Sequence, residues 1–248
     1  MSVEIERGRV TLEHNYPIKL GYCAHSVDRK TQNEHNSLVK LGDYAMPVGP
    51  NKEAARRLYE TAGSQQGFFT TKQAIRAGIA EKTHTYHIKV GNWIREHRGI
   101  YRLAGFPTTE RPDLMLWYLW SQNRQEIPEG TYSHDTALSL HELSDLMPSK
   151  LHMTVPKHFR RNSQIPEILV LHRADLSDRD IQDMHGVRAT RPLRTILDLL
   201  QSGHVDRNLI RQAVDEAMRR GLISEKQIDS LPHDEIQASL RELVGQHT

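Results

Sequence analysis

The sequence contains a single cysteine, Cys23, which rules out an intrachain disulfide and any zinc site built from several cysteines. Both absences suit a reducing compartment. No stretch approaches the roughly eighteen consecutive apolar residues of a membrane-spanning helix. The N-terminus MSVEIERGRV lacks the basic-then-apolar pattern of a secretory signal, so a cytoplasmic location is expected. Net charge is small, +2 over 248 residues. With 26% charged and 37% hydrophobic residues, the chain suits a soluble protein with one large domain or two modest ones.

The small net charge hides an uneven distribution. Residues 51–106 hold ten Lys and Arg against four Glu, whereas the first fifty residues hold six of each sign and the remainder 17 against 21. A basic segment in an otherwise balanced chain is the footprint that a phosphate backbone requires, because a solvated surface without a partner more often mixes its signs. Residues 1–50 show neither helical nor strand periodicity, and turn-formers such as Asn15, Pro17, Gly21, Gly42 and Pro47 recur every few positions. A poorly ordered extension is expected there, with a start site placed too far upstream as the other reading. His14, His25 and His35 are irregularly spaced and predict no metal site.

A helix is expected after Pro50, with Asn51 as N-cap and Ala54, Ala55, Leu58, Tyr59 and Ala62 as its apolar stripe. The following stretch, Gly67 to Leu103, carries the order of parts of a winged helix-turn-helix. Thr70 or Thr71 caps a helix with Ala74, Ile75 and Ile79 inward, and Gly78 supplies the bend before a second helix from about Glu81 to Val90. A strand over Asn92 to Glu96, a turn at His97-Arg98-Gly99 and a strand over Ile100 to Leu103 make the wing. Trp93 and Tyr101 are expected to pack the wing against the helices, since a duplex offers no unstacked base. If Ile88 faces the core, so do His84 and Thr85, leaving Lys82, Thr83, Tyr86, His87 and Lys89 for the groove. On the wing, Arg95, Arg98 and Arg102 are the candidate DNA contacts, with His97 a weaker one.

GFFTTKQAIRAGI, a basic helix ending at Gly91 and HRGIYRLAGFP together resemble the N-terminal winged helix of AbiEi-type antitoxins from bacterial type IV toxin-antitoxin systems. SHDTALSLHELSD (133–145), LHMTVP (151–156), GVRATRPLRTILDLL (186–200) and AVDEAMRRGLIS (213–224) resemble that family's C-terminal domain in the same order. The resemblance implies a DNA-binding antitoxin that represses its own operon through inverted repeats, with two copies on a palindromic site. It also implies neutralisation of a co-encoded nucleotidyltransferase-like toxin without a stable complex. The alternative is a winged-helix transcriptional regulator with a C-terminal ligand- or partner-sensing domain and no toxin. The fifty-residue extension and the histidines at 84 and 87 depart from the family pattern, and the histidines raise the question of pH-dependent affinity.

The second half reads as an α/β mixture. Helices are expected over Asp113 to Trp120, after Ser133, after Thr190 with Pro192 in the first turn, after Asp206 and at Ser224; strands over 151–155, 168–171 and 186–189. The expected fold class is therefore α+β, an N-terminal winged helix-turn-helix (51–106) followed by a mixed α/β C-terminal domain (107–248). No enzyme, cofactor or metal is expected. His134 and His141, seven apart on one helix, lie about 10 Å from each other, too far for one ion. His141 with Asp145 is an i, i+4 pair. Arg188, Arg191 and Arg194 form a basic cluster open to an acidic partner, to DNA or to solvent. The acidic residues of 175–183 lie in an apparent loop and helix start without the strand-borne lysine of a magnesium nuclease, so a nuclease-associated role is the weakest reading.

Overall fold

The structure, a computed structural model, describes residues 38–41, 44–47, 52–232 and 235–245. Leu38–Leu41 (β1) and Tyr44–Pro47 (β2) pair antiparallel, in a segment whose sequence shows no strand periodicity. The rest of that segment, and the expected cap Asn51, lie outside the described residues.

Helix α1 (Lys52–Gly63) buries Ala54, Leu58 and Ala62 at helical spacing. Strand β3 (Phe68–Thr70) leads into α2 (Thr71–Ala77), which Thr70 opens with a capping box to Gln73. Gly78 ends α2 at φ 102°, a left-handed conformation that turns the chain toward the next helix. The expected helix over 81–90 is divided into a 3-10 turn (Glu81–Thr83) and α3 (His84–Lys89). Thr83 donates its hydroxyl to the Ala80 carbonyl at 2.7 Å, which favours the tighter first turn. Strands β4 (Trp93–His97) and β5 (Ile100–Leu103) follow as a hairpin with a bulge at Arg95/His97, and the sheet runs β3-β5-β4. Ile75, expected inward, is 45% exposed. In a helix of two turns the buried face is set by Ala74 and Ala77, and Ile75 lies one residue, about 100°, off it.

Strand alternation joins this unit to the rest of the chain. Phe69 and Tyr101 face the core of α1 and α2, while Phe68 and Ile100 face the opposite way, into a core with Leu114, Met115 and Leu119. Those three belong to α4 (Pro112–Trp120), started by proline at its first turn. Behind α4 lies a five-stranded sheet of β6 (Thr131–Tyr132), β7 (Leu151–Val155), β8 (Leu169–Arg173), β9 (Ile181–Met184) and β10 (Val187–Thr190), in the order β8-β7-β6-β10-β9. β7 and β8 are parallel, as are β6 and β10. Helix α5 (His134–Leu140) packs with α6 (Pro192–Ser202), α7 (Arg207–Arg219), α8 (Glu225–Asp229) and α9 (Glu235–Gly245) around a second apolar cluster that includes Leu138, Ile196, Val214 and Leu240.

Several local expectations change. The 175–183 stretch forms a 3-10 turn (Asp178–Asp180), opened by Ser177, and then β9, which pairs with β10. Arg191 occupies the N-cap position of α6, because the Thr190 hydroxyl is bonded to that of Thr195 at 2.7 Å. Helix α9 was not expected. α5 ends at Leu140, so the His141–Asp145 register is lost; His141 donates from Nε2 to the Thr190 carbonyl (2.7 Å), and Asp145 accepts from Gln212. Among the described residues, no helix is long and apolar enough to cross a membrane.

Gly67 shows how tightly the hairpin base is fitted. Its φ is +85°, and a Cβ there would come within 2.6 Å of the Phe106 ring. Gly67→Ala is expected to destabilise the protein by about 1–3 kcal/mol, through strain and displacement of Phe106. Chemical denaturation measures it, and an unchanged midpoint contradicts this packing.

Candidate nucleic-acid interface

The basic face is built on Trp93, which is 4% exposed. The Phe69 ring meets it edge-on at 4.8 Å, His84 at 5.1 Å, Tyr101 lies at 5.7 Å, and His87 stacks on it at 4.5 Å with the planes 15° apart. His84 is buried and bonds through Nε2 to the Ile79 carbonyl at 3.3 Å. These contacts attach α3 to β4 and set its rotation: His84 and Ile88 point in, and Lys82, Thr85, Tyr86 and Lys89 point out. Their spacing of three to four residues puts them on one face. Thr85, expected inward, therefore joins the outer stripe.

The sequence-predicted residues divide. Lys82, Tyr86 and Lys89 are exposed as expected, Tyr86 by 61%. Thr83 is half-buried and its hydroxyl closes the 3-10 turn. His87 offers only the ring edge left free by Trp93. Burial, and then the neighbouring His84, hold its pKa below the ordinary histidine value of 6.5, so it is neutral at neutral pH. His97 turns toward Trp117, at 5.3 Å between rings.

The cations of the basic segment separate in the same way. Arg56 is paired with Glu53 and Glu60, and Arg57 bonds to the Ala77 carbonyl. Lys72 donates to the Arg124 carbonyl at 3.0 Å, and Arg76 pairs with Glu126 at 2.6 Å, which ties α2 to the 122–128 loop. Arg102 is held by Glu96 at 2.7 Å and is largely covered. By contrast, Lys82, Lys89, Arg95 and Arg98 are exposed and form no ion pair or hydrogen bond with another described residue. Arg98 sits at the hairpin turn and lines a cleft of about 270 Å³ shared with Thr71, Lys72 and Arg161.

Residues 56–104 match the family model of AbiEi antitoxin transcriptional regulators. That is the segment from α1 through the hairpin, so it contains the candidate face and is consistent with an AbiEi-type antitoxin. The AbiEi match does not extend over the four later blocks. No curated protein matches the chain. Among solved structures, the Rv2827c protein of Mycobacterium tuberculosis aligns with 12% identity and a TM-score of 0.48, covering 77% of this chain and 76% of that one.

In the C-terminal half, Arg188, Arg191 and Arg194 do not converge. Arg188 is exposed on β10, Arg191 bonds to the Ile181 carbonyl at 3.0 Å, and Arg194 is held by Asp198 at 2.8 Å and Asp180 at 3.7 Å. The sequence reading missed a different group, in which Asp135, His152, His172 and His204 gather beside His134. No motif spacing signals it, since the register of β7 on β8 and the end of α6 bring those residues together.

Two variants distinguish free from engaged cations. Lys82→Ala is expected to lower the slope of log affinity against log salt for duplex DNA by about one unit. Arg102→Ala should leave that slope intact and lower stability by about 1 kcal/mol, since its partner is the protein's own Glu96. Fluorescence anisotropy and denaturation read the two quantities. Affinity should be flat above pH 6.5 and rise only on further acidification, when His87 gains charge.

Proposed function

We propose that this protein is a DNA-binding antitoxin and transcriptional autorepressor that counteracts a co-encoded nucleotidyltransferase-like toxin. One observation carries the DNA part: within the segment that matches the antitoxin regulators, the cations left unpaired are those on the 3-10 turn, on the outer face of α3 and on the hairpin. In this reading 51–106 is a winged helix-turn-helix. α3 enters the major groove, with Lys82 and Lys89 on phosphates or guanine acceptors and Tyr86 against a phosphate or a thymine methyl. Arg95 and Arg98 hold the backbone beside the wing. Phe68 and Ile100 join the α4 core, which packs the reader against the rest of the protein. Two copies on an inverted repeat suit a helix-turn-helix reader.

A second reading, a regulator with a partner-sensing C-terminal half and no toxin, is favoured by one feature. An open groove of about 970 Å³ lies between residues 142–147 and α7, with Met147 exposed at its edge. The neighbouring reading frame separates the two. A nucleotidyltransferase-like gene that arrests growth alone and is tolerated with this protein supports the antitoxin; a neighbour harmless in both conditions contradicts it. For the DNA part, a reporter driven by the upstream promoter should be repressed by the protein and released by Lys82→Ala with Lys89→Ala. Repression unchanged by the double variant removes the α3 face from the account.

A further inference from the structure

The C-terminal sheet brings together side chains that the DNA reading does not use. β7 and β8 pair in parallel with Thr154 opposite His172 and His152 opposite Val170, which places the two imidazoles side by side, His152 Nδ1 to His172 Nε2 at 3.2 Å. Asp135, in the first turn of α5, lies over β7 with its side chain only 13% exposed. His204 enters from the end of α6, directly after the left-handed Gly203, and its Nδ1 is 2.7 Å from the Ser202 hydroxyl. The Asp135 carboxylate then spans both rings, Oδ1 to His204 Nε2 at 2.8 Å and Oδ2 to His152 Nε2 at 3.6 Å.

We propose that Asp135, His152 and His204 form a binding site for one borderline-soft divalent transition metal ion, of which zinc is the type. The three donor atoms lie within 4.8 Å of one another, and among the described residues no other group of three His, Cys, Asp or Glu side chains meets that test. Ligands of a tetrahedral zinc with bonds of about 2.0–2.1 Å sit about 3.3 Å apart, between the two carboxylate–imidazole separations here. Small side-chain movements therefore seat an ion where the carboxylate now bridges the rings.

The surrounding bonds suit that role. Both imidazoles turn Nε2 to the carboxylate, while each Nδ1 is occupied elsewhere, by His172 for His152 and by the Ser202 hydroxyl for His204. With an ion in place of the Nε2 hydrogen that now faces the carboxylate, those outer partners can take the Nδ1–H of each ring and hold the Nε2 lone pair toward the metal. His172 is itself stacked on His134 at 3.6 Å, and His134 is anchored through Ser133 to Thr154. His134 adopts φ 49°, a conformation uncommon for a residue with a side chain, with its ring over that of His172. Two imidazoles and one carboxylate favour zinc-like ions over magnesium or calcium, which prefer all-oxygen shells. His204 is 40% exposed, which leaves room for water as a further ligand.

The test uses the full chain stripped with chelator. Calorimetric titration with zinc should show one equivalent bound, and cobalt(II) should develop the visible absorption of a low-coordinate site with nitrogen ligands. Zinc should also raise the melting temperature, because it binds only the folded site. His204→Ala, on an exposed position, should keep the circular dichroism spectrum and lose the stoichiometric binding. His204→Cys, which restores a zinc ligand, should recover it. His172→Phe should weaken binding by about 10–100-fold as an outer-partner loss. No binding, or several weak equivalents that persist in His204→Ala, overturns the proposal. None of these readouts depends on DNA or on a toxin.

Discussion

The stack of His87 on Trp93, inside the ring formed by Phe69, His84 and Tyr101, is the contact on which the candidate interface depends. α3 has six residues, too few to be stable on its own propensity, so its orientation comes from tertiary packing. Trp93 supplies that packing from the edge strand of a three-stranded sheet. Phe68 and Ile100, from the same sheet but on its other face, continue into the α4 core. A side chain on the outer face of α3 is thus positioned by rings on one face of a sheet whose other face packs on the C-terminal body.

Charge is organised by the same packing. A count over 51–106 shows excess Lys and Arg but not which of them meet a partner within the fold. In the paired group, Arg56 is engaged within α1, while Arg57 fastens α1 to α2, Lys72 and Arg76 fasten α2 to the 122–128 loop and Arg102 fastens β5 to β4. Lys82, Lys89, Arg95 and Arg98 stay exposed on the 3-10 turn, α3 and the hairpin. Phosphate binding needs charge that folding has not already neutralised, and this second group fits that condition.

Much of the N-terminal unit was legible because its signals are local. Thr70 or Thr71 reads as a helix cap, which the structure assigns to Thr70, Gly78 as a stop and Gly99 as part of the hairpin turn, and each acts within four residues. Ile75 and Thr85 were misplaced because helical phase in six or seven residues is decided by what the helix packs on. Arg102 was read as a DNA contact since its tie to Glu96 runs across a hairpin whose bulge shifts the register. The imidazole cluster could not be read at all. His152 and His172 are strand residues twenty positions apart, and only the parallel register joins them, with His204 brought in by the end of α6. α9 was missed although its apolar positions Ile236, Leu240, Leu243 and Val244 stand at helical spacing.

The central claim is that α3 and the hairpin meet DNA as one rigid face. Amide hydrogen exchange, with and without a duplex carrying the upstream promoter, tests it most directly. The account predicts added protection across residues 81–90 and 93–99, with residues 186–200 unchanged. Protection confined to the C-terminal half, or absent from α3 while DNA is bound, would contradict it.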